Sequence, residues 1–209
     1  MKHLIITTAI IPEELCLQTI GYSYEQRMYD YKNSFDSTLL LKDKFDSITI
    51  IETVSKEKVD FLEESGISVY YSKFDNHFTN KGINEMFHIQ DFLQKSNIDD
   101  NDLIIKLSGR YLIENASILS INNDIIAKYD GDIYPGDRGV HTFFFGFKKK
   151  LFAEFINNLD IFNYDVCIEW LVKDFMLNKG IEILDRHYNL GVITCLYSKE
   201  LNRWTRISS

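Results

Sequence analysis

Asp102-Leu103-Ile104-Ile105-Lys106-Leu107-Ser108-Gly109-Arg110-Tyr111 places a nearly continuous apolar run directly before a hydroxyl, a glycine and a cation. A run of this kind, Asp102–Leu107, broken only by Lys106, suits a strand covered on both faces, as in a parallel sheet. Ligand crevices of open α/β sheets lie beyond the carboxyl ends of the strands, so Ser108-Gly109-Arg110-Tyr111 falls where a ligand would sit.

Working outward, short β-branched runs alternate with segments of helical period, the pattern of a mainly parallel sheet flanked by helices. Strands are expected at His3–Ile10, Ser47–Thr53 and Ser68–Ser72, ahead of the strand Asp102–Leu107. Helices are expected over Tyr22–Leu41, over Lys56–Ser65 with Gly66 ending it, and from Ile83 to Ser96. In the second half, Asp132–Pro135 and His141–Phe147 read as strands around Gly136 and Gly139. Helices over Leu151–Leu159 and Asp165–Asn178, closed by Gly180, precede late strands at Ile181–Leu184 and Gly191–Tyr197. The tail 198–209 is polar and basic, and Trp204 with Arg203 and Arg206 suits either a frayed end or a flap over a donor diphosphate. Phe143-Phe144-Phe145 and Trp170 suggest either a sugar-stacking platform or, for the phenylalanines, a strand buried on both faces.

With 209 residues, 45% hydrophobic and including 15 Phe and 12 Tyr, the chain has apolar area for a full core. The expectation is one α/β domain over 1–209, with a nucleotide-binding part at about 1–112 and an acceptor and catalytic part at about 113–209. A formal charge of −8, relieved only by Lys148-Lys149-Lys150, disfavours nucleic acid and anionic lipid as partners. No stretch approaches the ~20 apolar residues of a membrane span. Cys16, Cys167 and Cys195 lack a CxxC spacing and read as buried free thiols of a cytoplasmic protein.

What the motifs lack narrows the chemistry. Thr7-Thr8-Ala9-Ile10-Ile11-Pro12 after the first strand has no glycine, so neither a P-loop nor a dinucleotide fingerprint is present. A Gly-rich loop at that place also serves enzymes that synthesise nucleotide-sugars, so its absence argues against synthesis of such a donor and leaves its use open. There is no Gly-x-Ser-x-Gly elbow, and His3, His77, His88, His141 and His187 lack the spacing of a helical zinc site.

Two segments carry candidate chemistry. Asn80-Lys81-Gly82-Ile83-Asn84-Glu85 opens a helix with a cation and a glycine that allows close backbone approach, a seat for ribose or phosphate or an ordinary capped helix start. Lys106 and Arg110, with Ser108 and Gly109, suit a diphosphate and offset the charge that builds on a departing nucleoside diphosphate. Thr7, Thr8 and Ala9 after the first strand and Asn76 after the third complete the expected donor-binding set.

Asn80–Glu85, Lys106–Tyr111 and Cys167-Ile168-Glu169 together resemble GT-A glycosyltransferases found in large DNA viruses, chlorovirus capsid-glycan enzymes among them, and in bacterial surface-polysaccharide loci. The resemblance implies a UDP-sugar donor of the UDP-glucose or UDP-rhamnose type. It also implies a glycan acceptor, such as that of a viral capsid or surface glycoprotein, and further domains in a longer polypeptide. Related enzymes often bridge the diphosphate with Mn2+ or Mg2+. Here Ser108-Gly109-Arg110 stands where the general pattern has a metal-holding Asp-x-Asp, which leaves the metal and its ligands unassigned.

Asp100-Asn101-Asp102 and Asp130-Gly131-Asp132 match Asp-x-Asp but precede strands, at the end opposite the crevice; Asp75 is a comparably weak metal candidate, and His187 is either a late metal ligand or part of a polar turn. An inverting transfer needs a base for the acceptor hydroxyl. Asp165 and Glu169, one helical turn apart, are the candidates; the competing reading has Asp165 serving a helix terminus and Glu169 paired with Lys173. With Arg110 they form the expected catalytic set. The rival function is a non-catalytic nucleotide- or glycan-binding or assembly domain on the same scaffold.

Overall fold

The computed structural model describes residues 1–10, 24–115, 125–128, 139–159, 166–184, 192–198 and 203–208. Four strands, β1 (Lys2–Thr8), β2 (Ser47–Glu52), β3 (Ser68–Tyr71) and β4 (Leu103–Ser108), run parallel. With β7 (Phe144–Lys148) and β6 (Ile125–Ile126) they form a six-stranded sheet ordered β3-β2-β1-β4-β7-β6, with β7 antiparallel to both neighbours. A second, antiparallel sheet joins β5 (Tyr111–Ile113), β8 (Val192–Ser198) and β9 (Arg203–Ser208) in the order β5-β8-β9. The helices are α1 (Tyr24–Leu39), α2 (Asp60–Glu63), α3 (Lys81–Lys95), α4 (Lys149–Asn157) and α5 (Ile168–Asn178).

Side-chain alternation along the strands divides the core in two. Leu4 and Ile6 of β1, with Leu103, Ile105 and Leu107 of β4, pack with Tyr31 and Phe35 of α1. Ile5 and Ile104 point the other way, toward Met86 and Ile89 of α3, Phe152 and Phe155 of α4, and Val172 of α5. Phe144 and Phe145 are fully buried, one in each half, so this part of the phenylalanine run is strand core. Lys106 shares the parity of Ile104 and therefore faces the α3 side.

Several expected bounds move. Only α2 forms within Lys56–Ser65, because the start of that segment is held as a turn. Val54 and Ser55 N–H donate to Glu52 Oε1 at 3.0 Å each, and Lys56 Nζ donates to Ser72 O at 3.1 Å. Gly66 does follow with φ 75°. Helix α5 starts at Ile168 with Cys167 as its N-cap; Asp165 lies outside the described residues, as do Asp132–Pro135. Instead of a strand at Ile181–Leu184 there is a single bridge from Leu184 to Lys128. Arg203–Ser208, read as a basic tail, pairs with β8 along its length, which removes the frayed-end reading. Cys167, expected to be buried, is exposed. Among the described residues no helix is long and apolar enough to cross a membrane.

Candidate functional site

Strand order reverses between β1 and β4: from β1 the chain builds outward to β2 and β3, then crosses to the other side for β4. In open α/β sheets ligands bind at such a switch point, beyond the carboxyl ends of the strands, here those of β1 and β4. Thr7 is in register with Ser108 across it, and Gly109 N–H donates to Thr7 O at 2.9 Å. The sequence-predicted residues Thr7, Thr8, Ala9, Ser108, Gly109 and Arg110 therefore do lie together at one place.

Beneath them a polar network runs through the α3 side of the sheet. The Lys106 side chain is only 1% exposed, and its ammonium has three partners: Glu85 Oε2 at 3.0 Å, Ser108 Oγ at 2.8 Å and Thr142 O at 2.6 Å. These match the three donors of a lysine. Thr7 Oγ1 donates to the other Glu85 oxygen. Thr142 Oγ1 donates to Glu169 Oε1 at 2.8 Å, so the network continues to the start of α5. Lys173 sits over the Trp170 ring at 4.7 Å.

The three segments of the sequence resemblance converge here. Asn80 caps α3 by accepting from Gly82 and Ile83 N–H at 3.0 and 3.3 Å, and its Nδ2 donates to Val166 O at 2.9 Å. A Cβ on Gly82 would stand 2.7 Å from Ile168 Cβ, so the glycine admits α5 against the N-terminus of α3. Gly109 has a comparable reason: a Cβ there would be 2.7 Å from Tyr31 Cε1 and 2.9 Å from Thr7 O. Both glycines were read from sequence as openings for a ligand, yet the neighbour each admits is a side chain of this protein.

Other predicted residues hold the rim in shape. Thr8 Oγ1 donates to Glu52 Oε2 at 2.7 Å, and Glu52, with no exposed surface, also accepts from Ile10 N–H. Burial pushes the Glu52 carboxyl above its ordinary pKa, against the pull of the hydrogen bonds from Ser55, Thr8, Val54 and Ile10. Ala9 N–H donates to Tyr31 Oη at 3.0 Å, and Ala9 O accepts from Arg27 Nε at 2.9 Å. Asn84 clamps the β3–α3 loop, donating to Phe78 O at 2.7 Å and accepting from Phe78 N–H at 3.0 Å. Asn76 Oδ1 meets His88 Nε2 at 2.9 Å, while His88 Nδ1 lies 2.8 Å from Ser72 Oγ. Burial, reinforced by the Lys56 cation, lowers the His88 pKa to about 4 despite Asp91 and Asp75. Lys81 is exposed at the first position of α3.

Residues not singled out from sequence complete the site. Glu85 had been read only as part of a helix start; its signal was an acidic side chain on the inward stripe of α3, opposite a lysine inside a buried strand. Asp30, on α1, is also near: burial raises its pKa to about 6, opposed by the Arg110 cation, and its Oδ2 is buried without a hydrogen-bond partner. Tyr31, within the helix expected over Tyr22–Leu41, covers Gly109.

The donor set at the end of β4, an ammonium, a hydroxyl and a guanidinium, does not suit Mn2+ or Mg2+, which take oxygen ligands, chiefly carboxylates. Among the described residues no group of three or more His, Cys, Asp or Glu is placed to hold a metal. Asp102 lies at the opposite end of β4, where it meets His3 Nε2 at 3.1 Å and the Met1 amine at 2.7 Å. Asp75 stands 3.4 Å from Lys56. Asp130, Asp132 and His187 are outside the described residues.

This arrangement defines a nucleotide-diphospho-sugar transferase type of fold, GT-A-like in its mainly parallel sheet and its switch-point crevice. No family model and no curated protein matches the chain. Solved structures do. A nucleoside-diphosphate-sugar pyrophosphorylase from Vibrio cholerae RC9 superposes with a TM-score of 0.56 at 14% identity, covering 93% of this chain and 95% of that one. A 4-diphosphocytidyl-2C-methyl-D-erythritol synthase gives 0.53 at 10% identity over 96% and 94%. A glycosyltransferase involved in the glycosylation of the major capsid of PBCV-1 gives 0.51 at 10% identity over 90% and 82%. At these identities the likeness is one of fold.

Proposed function

We propose that this chain is a glycosyltransferase that moves a hexose or deoxyhexose from a UDP-sugar to a glycan acceptor. The observation that carries the reading is the convergence of Asn80–Glu85, Lys106–Tyr111 and Cys167–Glu169 on the β1/β4 switch point. In this reading residues 1–112 hold the nucleotide and the remainder the acceptor, and β5 carries the chain from one part to the other.

Synthesis of the nucleotide-sugar is the competing chemistry on this fold, and the two residues that follow β1, Ala9 and Ile10, disfavour it. An incoming triphosphate needs backbone N–H groups free to cradle it. Those of Ala9 and Ile10 are already given to Tyr31 Oη and the Glu52 carboxylate.

During transfer the acceptor oxygen bonds to the anomeric carbon, the bond from that carbon to the phosphate oxygen breaks, and UDP departs with the electron pair. Arg110 and Lys81 supply positive charge to the departing diphosphate. Lys106, whose donors are taken, acts as the internal counter-charge that fixes Ser108 and Glu85. In an inverting transfer the acceptor proton passes to Glu169 or Asp165. Thr7, Thr8, Ala9, Asn76, Gly82, Asn84, Ser108 and Gly109 shape the donor pocket around them.

A thermal-shift panel of UDP, UDP-glucose and UDP-rhamnose, each with Mn2+ and with chelator, tests donor binding. UDP compounds should raise Tm, and Arg110→Ala should abolish the rise. A parallel assay should detect UDP release that depends on a glycan acceptor. Absence of any shift overturns the donor reading, and binding without release leaves a non-catalytic binding domain.

A further inference from the structure

Glu85 points from the inward face of α3 to the switch point, and its side chain keeps 24% of its surface exposed. Thr7 Oγ1 donates to one oxygen, and Lys106 Nζ lies 3.0 Å from the other. A carboxylate has about four acceptor positions. The two remaining ones belong to a group that can only accept. Lys106 cannot turn toward a ligand anion, because it is enclosed and its three donors are met by Glu85, Ser108 and Thr142. Glu169, partly exposed, is tied to the same lysine through Thr142. Glu85 alone pairs with the ammonium, and it is the carboxylate that keeps open acceptor positions and exposed surface at the switch point.

A fixed, accept-only, negatively charged group suits sugar hydroxyls and opposes a sugar carboxylate. We propose that Glu85 binds hydroxyls of the donor's sugar and restricts the donor to neutral sugars, excluding uronic acids. This rests on the nucleotide-sugar reading above. It also separates two charges within one crevice: Lys81 and Arg110 serve the diphosphate, and Glu85 serves the sugar.

The test compares wild type and Glu85→Gln for binding of UDP, UDP-glucose and UDP-glucuronate by calorimetry. Wild type should bind UDP-glucose at least about tenfold more tightly than UDP-glucuronate, the scale of one unfavourable charge contact. Glu85→Gln should bind UDP within about threefold of wild type and lose most of that preference. Because Glu85→Gln leaves Lys106 without its counter-charge, Glu85→Gln/Lys106→Met serves as a second variant with neither charge, and UDP binding reports its intact pocket. Unchanged preference in variants that bind UDP overturns the assignment alone. Loss of UDP together with both sugars makes Glu85 a structural support and also overturns it. A wild type that ignores UDP and both UDP-sugars overturns the donor reading and this assignment with it.

Discussion

Replacing Lys106 by Met keeps the length of the side chain but removes an ammonium enclosed by Glu85 Oε2, Ser108 Oγ and Thr142 O. Breaking a buried pair from one side typically costs 3–5 kcal/mol, because the other charge stays behind unpaired. Glu85 retains 24% exposure and regains some water, so the lower end applies, about 3 kcal/mol. For a chain of this size that is a fall in Tm of roughly 6–12 °C. Glu85→Gln should cost a similar amount, since the lysine then remains enclosed with only neutral acceptors. Lys106→Met/Glu85→Gln removes both charges and should cost less than the sum of the two, with a coupling energy of at least about 1.5 kcal/mol. Urea unfolding of the four proteins measures this cycle directly. Additivity within about 0.5 kcal/mol, or a Lys106→Met cost below about 1 kcal/mol, would refute the pairing and the enclosed state of the lysine.

Two further outcomes follow from the same geometry. Gly109→Ala should destabilise by about 1–3 kcal/mol through overpacking, because its Cβ meets Tyr31 Cε1 at 2.7 Å and Thr7 O at 2.9 Å. In thermal unfolding, Tyr31→Leu should rescue only part of that loss, since the Thr7 carbonyl cannot move aside; no loss would mean that the space beside Gly109 is open. The pH dependence of stability should contain two opposed contributions. His88, at about 4 in the fold against an ordinary 6.5, takes its proton more readily when unfolded, so its contribution is full above pH 6.5 and lost as pH falls toward 4. Asp30, at about 6 against 3.8, takes its proton more readily in the fold, so stability gains as pH falls from 6 toward 3.8. Asp30→Asn should therefore be more stable than wild type at pH 7 and decline more steeply below pH 6. Denaturant titrations across pH 4–7 measure both effects, and a variant curve parallel to wild type contradicts them.

The parallel half of the fold was legible because β1, β2 and β4 carry short, mainly apolar runs and α3 carries a helical hydrophobic stripe. Local pattern fails where a tertiary contact decides the outcome. The segment after β2 has helical spacing, but Glu52 takes its first N–H groups and holds a turn. Strands β5 and β9 are short or polar, and they exist through pairing with β8, which no local window contains. Asn80–Glu85 and Lys106–Tyr111 could be singled out by residue type and brought together by the strand-end rule, whereas Cys167–Glu169 entered through the resemblance alone. Their internal partners could not be read so: that Gly82 meets Ile168 and Gly109 meets Tyr31 depends on how α5 and α1 dock. A glycine signals that something comes close; sequence does not say what.

Lys106 shows the same distinction for charge. A lysine in an apolar strand just before a crevice has two physical solutions: its ammonium reaches out to a ligand anion, or it finds acceptors inside the protein. Residue type cannot separate them, because Lys is flexible and serves both. The face it occupies does. Its parity with Ile104 turns it toward α3, where Glu85 lies on the inward stripe, and not toward α1, where Tyr31 closes over Gly109. With the lysine spent internally, the donor proposal assigns positive charge for a diphosphate to residues beyond the strand, Arg110 and Lys81. The lysine instead holds an acidic partner, Glu85, at the end of β1, where Thr7 Oγ1 also donates to it. The strand that decides the fold thus also fixes where an acidic side chain meets the end of its sheet.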